Sequence, residues 1–311
     1  MASNFKNSEV FFKKMIRNIS AISLGATLYV PAIHKNIFTI ANEHKYPQLH
    51  SAVFCTEDSI LDRDIPVAFH QLFEMLQVYK RGDLKLFFRP RSVDVLKQML
   101  LLENIEKIDG FVLPKFDISN MQHYFDVLKP YHDKFHIMPV LESRALFDIR
   151  KLEQIRSFLL GQNEYHILSL RLGGEDMLRF LSLKRKCTTS LYDLAGPNKV
   201  IAEVLNTFKP YGFNISAPVY NCIKNQEFYA LEVQRDIEQG FIGKTIIHPS
   251  QIEPLNSAYK VTNEELTMAT SMMNDEEEAI VSHDGIMGEK FAHQAWAALI
   301  LERANFYGIK V

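Results

Sequence analysis

Eight short apolar runs recur along this chain, each followed by a longer segment, and this alternation limits the possible folds more than any other feature. The runs are LGATLYV (24–30), SAVFC (51–55), LKLFFR (84–89), GFVLP (110–114), HIMPVL (136–141), HILSLRL (166–172), FNISAPV (213–219) and KTIIH (244–248). Between them lie helical patterns such as DIPVAFHQLFEMLQVYK, SVDVLKQMLLLENI, ISNMQHYFDVLKP and FYALEVQRDIEQG, the last closed by Gly240 as a C-cap. The strand candidates are almost continuously apolar, as expected where helices cover both faces of a parallel sheet. Eight strand-helix units over a barrel's usual span of roughly 250 residues predict a (β/α)8 TIM barrel. An open, doubly wound sheet is the alternative, because periodicity does not prove closure. The expected organisation is a leading amphipathic helix over 1–23, the barrel over 24–262 and a C-terminal helical extension over 263–311.

Composition narrows the function. With 311 residues, 47% of them hydrophobic, the chain can bury a large core. Its 35 basic and 37 acidic side chains leave a formal charge of -2, which supplies no basic field for nucleic acid and no polybasic block for a membrane surface. Small-molecule chemistry is the better expectation. Cys55, Cys187 and Cys222 are too few and too scattered for a disulfide framework, and no Cys-x-x-Cys pair offers a zinc site. A reducing, cytoplasmic location fits that usage. The first twenty residues show neither a signal sequence nor a membrane span, their apolar pieces being broken by Lys13, Lys14 and Arg17.

A barrel of this kind builds its active site at the carboxyl ends of its strands. At that rim the second strand is followed by Glu57 and Asp58, the third ends in Arg89, and the fourth leads to Lys115. The fifth is followed by Glu142, the sixth by Glu175 and Asp176, and the eighth ends at His248. Each residue alone has a structural explanation: a cap, a surface ion pair, a satisfied imidazole. Together they suggest a site. Carboxylates from adjacent strands can hold one hard divalent ion, and Mg2+ takes one or two of them while keeping positions for water and substrate oxygens. Gly173 and Gly174 would let the backbone turn and a ligand approach Asp176.

Four stretches carry a resemblance that spans almost the whole chain. TEDSI is similar to an L-E-D-A-V motif, VLPKF to V-L-P-K-V, GGEDM to G-A-E-D-L, and GFIGKTIIHPSQIEPLNSAY to G-F-x-G-K-x-x-I-H-P-x-Q-x-x-x-x-N-x-A-F. The chain resembles the citrate lyase beta-subunit-like carbon-carbon lyases of the aldolase/citrate lyase superfamily, and more narrowly the branch associated with tellurium-resistance gene clusters. The resemblance implies Mg2+ held by Glu142 and Asp176, and Arg89 facing the substrate. Glu57 and Lys115 join Arg89 as catalytic candidates, and Gly173, Gly174 and Pro218 as substrate-binding ones. Two positions depart from the family: Cys55 where an Asp is usual, and Ala217 where relatives often carry an acid.

The implied activity is a Mg2+-dependent lyase or synthase acting on a small 2-oxo or 2-hydroxy carboxylic acid, or on a coenzyme A or other acyl thioester, by aldol or Claisen chemistry through an enolate. A phosphoenolpyruvate-type barrel enzyme and a non-catalytic scaffold subunit are the alternatives. The family also implies a homo-oligomer, trimer or hexamer, in which the tail carries Glu289 to a neighbouring site as an acid or base. The expected apolar stripe of that tail is Phe291, Ala295, Ala298, Leu299 and Leu301 beside Trp296. His248 is expected to fix the eighth strand rather than to take part in the chemistry.

Overall fold

The computed structural model describes residues 16–42, 45–274, 280–283 and 286–310. Its centre is a parallel barrel formed by β1 (Ala26–Pro31), β2 (Ser51–Cys55), β3 (Lys85–Arg89), β4 (Gly110–Leu113), β5 (His136–Leu141), β6 (His166–Ile167), β7 (Leu170–Leu172), β8 (Ile215–Ser216) and β9 (Lys244–Ile246). The segments β6 and β7 are two parts of the sixth expected run, both pairing with β5. The hydroxyl of Ser169, between them, donates to the Leu170 and Asn214 carbonyls.

Neighbours in the chain are neighbours in the barrel, and β1 pairs with both β2 and β9. A single parallel bridge, Ala217 to Lys244, joins the β8 edge to β9. The sheet is therefore a nearly closed TIM barrel rather than an open one. Every residue of β2 and β5 is buried, which is why those runs carry no polar alternation. The seventh strand is shorter than its apolar run because Pro218 has no N–H to give a ladder. The eighth stops at Ile246, and exposed His248 caps the turn that follows, its Nδ1 accepting from Ser250 N at 3.2 Å.

Most of the expected leading helix, residues 1–15, lies outside the described residues. Of the remainder, Ala21–Leu24 form a 3-10 turn capped by Ser20. The tail contains helix Asn263–Met273, a hairpin of β10 (Ile280–His283) and β11 (Ile286–Glu289), and helix Lys290–Tyr307. The two helices bury a small core of their own: Val261, Ala269, Met272, Ala297 and Ile300. Only part of the expected stripe faces inward: Trp296, Leu299 and Leu301 are half-buried against the core, whereas Phe291, Ala295 and Ala298 are exposed, and Ala297, Ile300, Arg303 and Tyr307 are the buried residues of the helix. Arg303 sets this rotation, donating twice to the Tyr259 carbonyl, and Tyr307 adds a bond to the Ile22 carbonyl. Most of the acidic run at 274–279 lies outside the described residues.

One cysteine expectation is corrected. Cys187 and Cys222, 35 residues apart, form a disulfide that ties the loop after helix Gly174–Phe180 to the loop after β8, while Cys55 is free and buried. Spacing hid this pair because the pairing of β7 with β8, rather than nearness in sequence, brings the two loops together. Among the described residues, no helix is long and apolar enough to cross a membrane.

Candidate active site

A cavity of about 500 Å3 opens at the carboxyl ends of the strands. Tyr29, Cys55, Glu57, Asp58, Arg89, Glu142, Arg171, Gly173, Gly174, Asp176 and Thr245 are among the residues that line it. Arg89, the last residue of β3, is its hub. The Nη2 atom of Arg89 lies 2.6 Å from Glu142 Oε1 and 3.1 Å from Glu57 Oε2, while its buried Nε has no acceptor. Burial disfavours this charge, but Glu142 and the other anionic neighbours outweigh it and hold the guanidinium firmly protonated.

Lys115 completes the cluster from the turn after β4. Its φ of 48° lies in the left-handed region, which costs a non-glycine residue roughly 1–2 kcal/mol. That backbone aims its N–H at Glu142 Oε1 (2.8 Å), and its ammonium reaches Glu57 Oε1 (2.6 Å) and Asp58 Oδ1 (3.1 Å). Burial works against the Lys115 charge, yet Glu57 and Asp58 raise its pKa above the ordinary value. Burial likewise opposes the Asp58 carboxylate, and the Lys115 contact overcomes it to lower its pKa.

Glu142 is 4% exposed. Burial first, then the nearby Glu57 and Asp176 charges, push its pKa up against the pull of Arg89. Asp176 sits in the first turn of helix Gly174–Phe180 and accepts two bonds from Arg179 through Oδ1, at 2.6 and 3.1 Å. Both carboxylates thus commit one oxygen to a protein cation. Among the described residues, no hydrogen bond reaches Glu142 Oε2 or Asp176 Oδ2.

The two glycines serve packing. Neither has positive φ. A Cβ on Gly173 would lie 2.3 Å from Glu142 Cβ, and one on Gly174 would lie 2.9 Å from Pro218 Cβ. Gly173 therefore lets Glu142 sit beside the Asp176 turn, and Pro218 backs Gly174 rather than lining the cavity. Glu289, at the end of β11, is exposed and does not line the cavity of its own chain. Cys55 lies under the rim, its sulfur accepting from the Glu57 N–H at 3.4 Å. Tyr29 and Arg171 were missed as site residues, although a charge inside the apolar run HILSLRL was a visible signal for the second.

Over residues 18–309 the chain matches the family described as carbon-carbon bond lyases of the TIM-barrel fold. It belongs to that family. The lyase is 24% identical to citrate lyase subunit beta of Escherichia coli strain K12 over 299 residues, 91% of this chain and 94% of that one. Its fold is similar to a citrate lyase from Burkholderia xenovorans, with a TM-score of 0.70 at 16% identity, covering 96% of this chain and 95% of that one. The Mycobacterium tuberculosis CitE structure, solved with magnesium, acetoacetate and coenzyme A, gives a TM-score of 0.66 at 16% identity, covering 91% and 99%. The chain is thus a carbon-carbon lyase of the citrate lyase beta-subunit-like kind.

Proposed function

We propose that this lyase makes or breaks a carbon-carbon bond in a small 2-oxo or 2-hydroxy carboxylic acid, free or as an acyl thioester, with Mg2+ held by Glu142 and Asp176. One observation carries the reading: two carboxylates that follow neighbouring barrel strands share a cavity, each with an oxygen that no donor among the described residues occupies. An all-oxygen donor pair with open positions suits Mg2+, which usually keeps several waters and binds substrate oxygens. When bound, the ion supplies Lewis acidity at the oxygen beside the substrate carboxyl group. Magnesium in the Mycobacterium tuberculosis CitE complex is in keeping with this choice.

Arg89 supplies the fixed positive charge. Its guanidinium, oriented by Glu57 and Glu142, stabilises the oxygen that becomes negative as the enolate forms. Glu57 is a positioning residue, since Lys115 and Arg89 both hold its carboxylate. The other carboxylates here are also engaged: Asp58 by Lys115, Asp176 by Arg179 and Glu175 by Asn221 at 3.0 Å. That leaves the general acid or base to come from elsewhere, and Glu289 of a neighbouring copy is the candidate. The wider family's thioester chemistry makes coenzyme A a reasonable partner to test.

The test is calorimetric titration of Mg2+ into the wild type, Glu142→Gln and Asp176→Asn, followed by NMR detection of bond cleavage or condensation across 2-oxo acids and acyl thioesters. Binding to the wild type that both variants lose supports the assignment. A wild type that binds no Mg2+ defeats it.

A further inference from the structure

One guanidinium in the barrel has no task in the mechanism above. Arg171, the middle residue of β7, is 1% exposed and still lines the cavity. Its Nη2 donates to Thr245 Oγ1 at 2.7 Å, and its Nη1 to Thr27 Oγ1 at 3.4 Å and to Met138 Sδ at 3.7 Å. Its Nε is buried without an acceptor.

Three other cations of the barrel have carboxylate partners. Arg185 lies 2.8 Å from Glu232, Lys244 lies 2.8 Å from Asp236, and Arg89 has two carboxylates. Among the described residues no carboxylate pairs with Arg171. A buried charge without a counter-charge is strongly unfavourable, and burial with Arg89 nearby pulls the Arg171 pKa down. Tyr29, whose ring centroid is 5.3 Å from the guanidinium carbon, does not supply the missing charge, because burial pushes its pKa up and keeps it a neutral phenol. Burial keeps the Cys55 thiol neutral in the same way.

Position adds to the case. Arg171 pairs with Val140 in the β5–β7 register, two residues before Glu142. A strand rises about 3.3 Å per residue, so the Arg171 backbone lies roughly 7 Å deeper in the barrel than that of Glu142. A ligand whose carboxyl group sits at the Glu142 and Asp176 end therefore points its other end toward Arg171 and Thr245, both of which line the cavity. Nε has no acceptor and Nη2 makes one bond, to Thr245, so the guanidinium keeps donor capacity for a carboxylate.

We propose that Arg171, held in place by Thr245 and Thr27, forms a subsite for a second carboxylate on the substrate, so that this lyase acts on a short-chain dicarboxylic acid unit. The inference rests on the reading of Glu142 and Asp176 as the metal and first-carboxyl end. It makes the cavity floor a selectivity device: a methyl group placed there leaves the cation unpaired, whereas a carboxylate neutralises it.

Two matched pairs of acids test this by calorimetry at fixed Mg2+: oxaloacetate against 2-oxobutyrate, and malate against 2-hydroxybutyrate. Within each pair a methyl group replaces the second carboxylate. The wild type is expected to bind the diacids at least about tenfold more tightly. Arg171→Met should reduce diacid binding to the level of the monoacids and leave monoacid binding unchanged, and Arg171→Lys should restore part of the difference. Circular dichroism verifies that each variant is folded, and the wild-type comparison stands without any variant. Equal affinities within the pairs, no diacid binding at all, or a preference that survives in Arg171→Met would each overturn the subsite. Repeating the titrations in EDTA separates the two proposals. A diacid preference that persists in a wild type unable to bind Mg2+ upholds the subsite and removes the metal reading. Mg2+ binding without diacid preference does the reverse.

Discussion

Arg89 shows how much one residue's surroundings decide. As a terminal strand residue it was legible as a rim cation, and the fork geometry of arginine explains why lysine is a poor replacement. The Arg89→Lys variant keeps the charge, but a point-charge ammonium lacks the planar fork that meets Glu57 and Glu142 through one nitrogen and leaves the others to face the substrate. Steady-state kinetics should show turnover falling about 10²- to 10³-fold with a smaller change in KM, and full activity would remove Arg89 from the mechanism. What the sequence did not reveal is which oxygens stay open. The Lys115 N–H on Glu142 depends on a left-handed backbone that no residue type announces. At the other end of β3, Lys85 carries a pH prediction. Burial first, then Arg17, pull its pKa down to about 8 from 10.5. Between those values the unfolded chain holds more protons, so stability rises with pH across the window and the contribution is lost as pH falls through it. Lys85→Met should therefore stabilise the protein at pH 7 by about 1–2 kcal/mol, a figure reduced for solvent screening. The gain in thermal midpoint over the wild type should shrink toward pH 10, and an unchanged gain at high pH would place its origin in packing instead.

The junction of β7 with the helix after it decides whether the site is assembled. The motif GGEDM was legible as a strand end followed by acids, but the reason for its glycines was not. Turn freedom and ligand approach were the expected reasons; both glycines do line the cavity, and close packing against Glu142 and Pro218 is a further one that the structure adds. Local sequence cannot show a contact made by the neighbouring strand. The distinction is testable with two alanine substitutions. Gly173→Ala places a methyl group against Glu142 Cβ, so it should cost roughly 1–3 kcal/mol of stability and weaken Mg2+ binding as Glu142 is displaced. Gly212→Ala, with φ +84° and open space around the added carbon, should cost about 1–2 kcal/mol and leave Mg2+ binding unchanged. Chemical denaturation beside metal titration checks both, and equal metal affinities in the two variants would separate Gly173 from the site. The same locality explains the missed disulfide and the rotated tail helix: Cys187 with Cys222, and Arg303 with Tyr259, are partners chosen by the fold rather than by spacing.

At the scale of the whole molecule, count and order of the strand runs were enough to predict a barrel, because eight buried parallel strands with helices outside have few ways to cover both faces. Closure itself rests on details below the resolution of periodicity, chiefly the Ala217 to Lys244 bridge. Assembly is the remaining question. Phe291 is 97% exposed at the start of the last helix, two residues after exposed Glu289, while the cavity's own carboxylates are all engaged. A second chain that covers Phe291 would remove apolar surface from water and bring Glu289 with it, so one contact would serve both stability and chemistry. The lyase is accordingly expected to be a homo-oligomer in light scattering, and Phe291→Ser should shift it to smaller species with loss of activity. Mixing Glu289→Ala with Glu142→Ala chains should recover part of the activity that each lacks alone, since some sites would then combine an intact rim with an intact tail. A monodisperse monomer with full turnover would place the acid or base within a single chain.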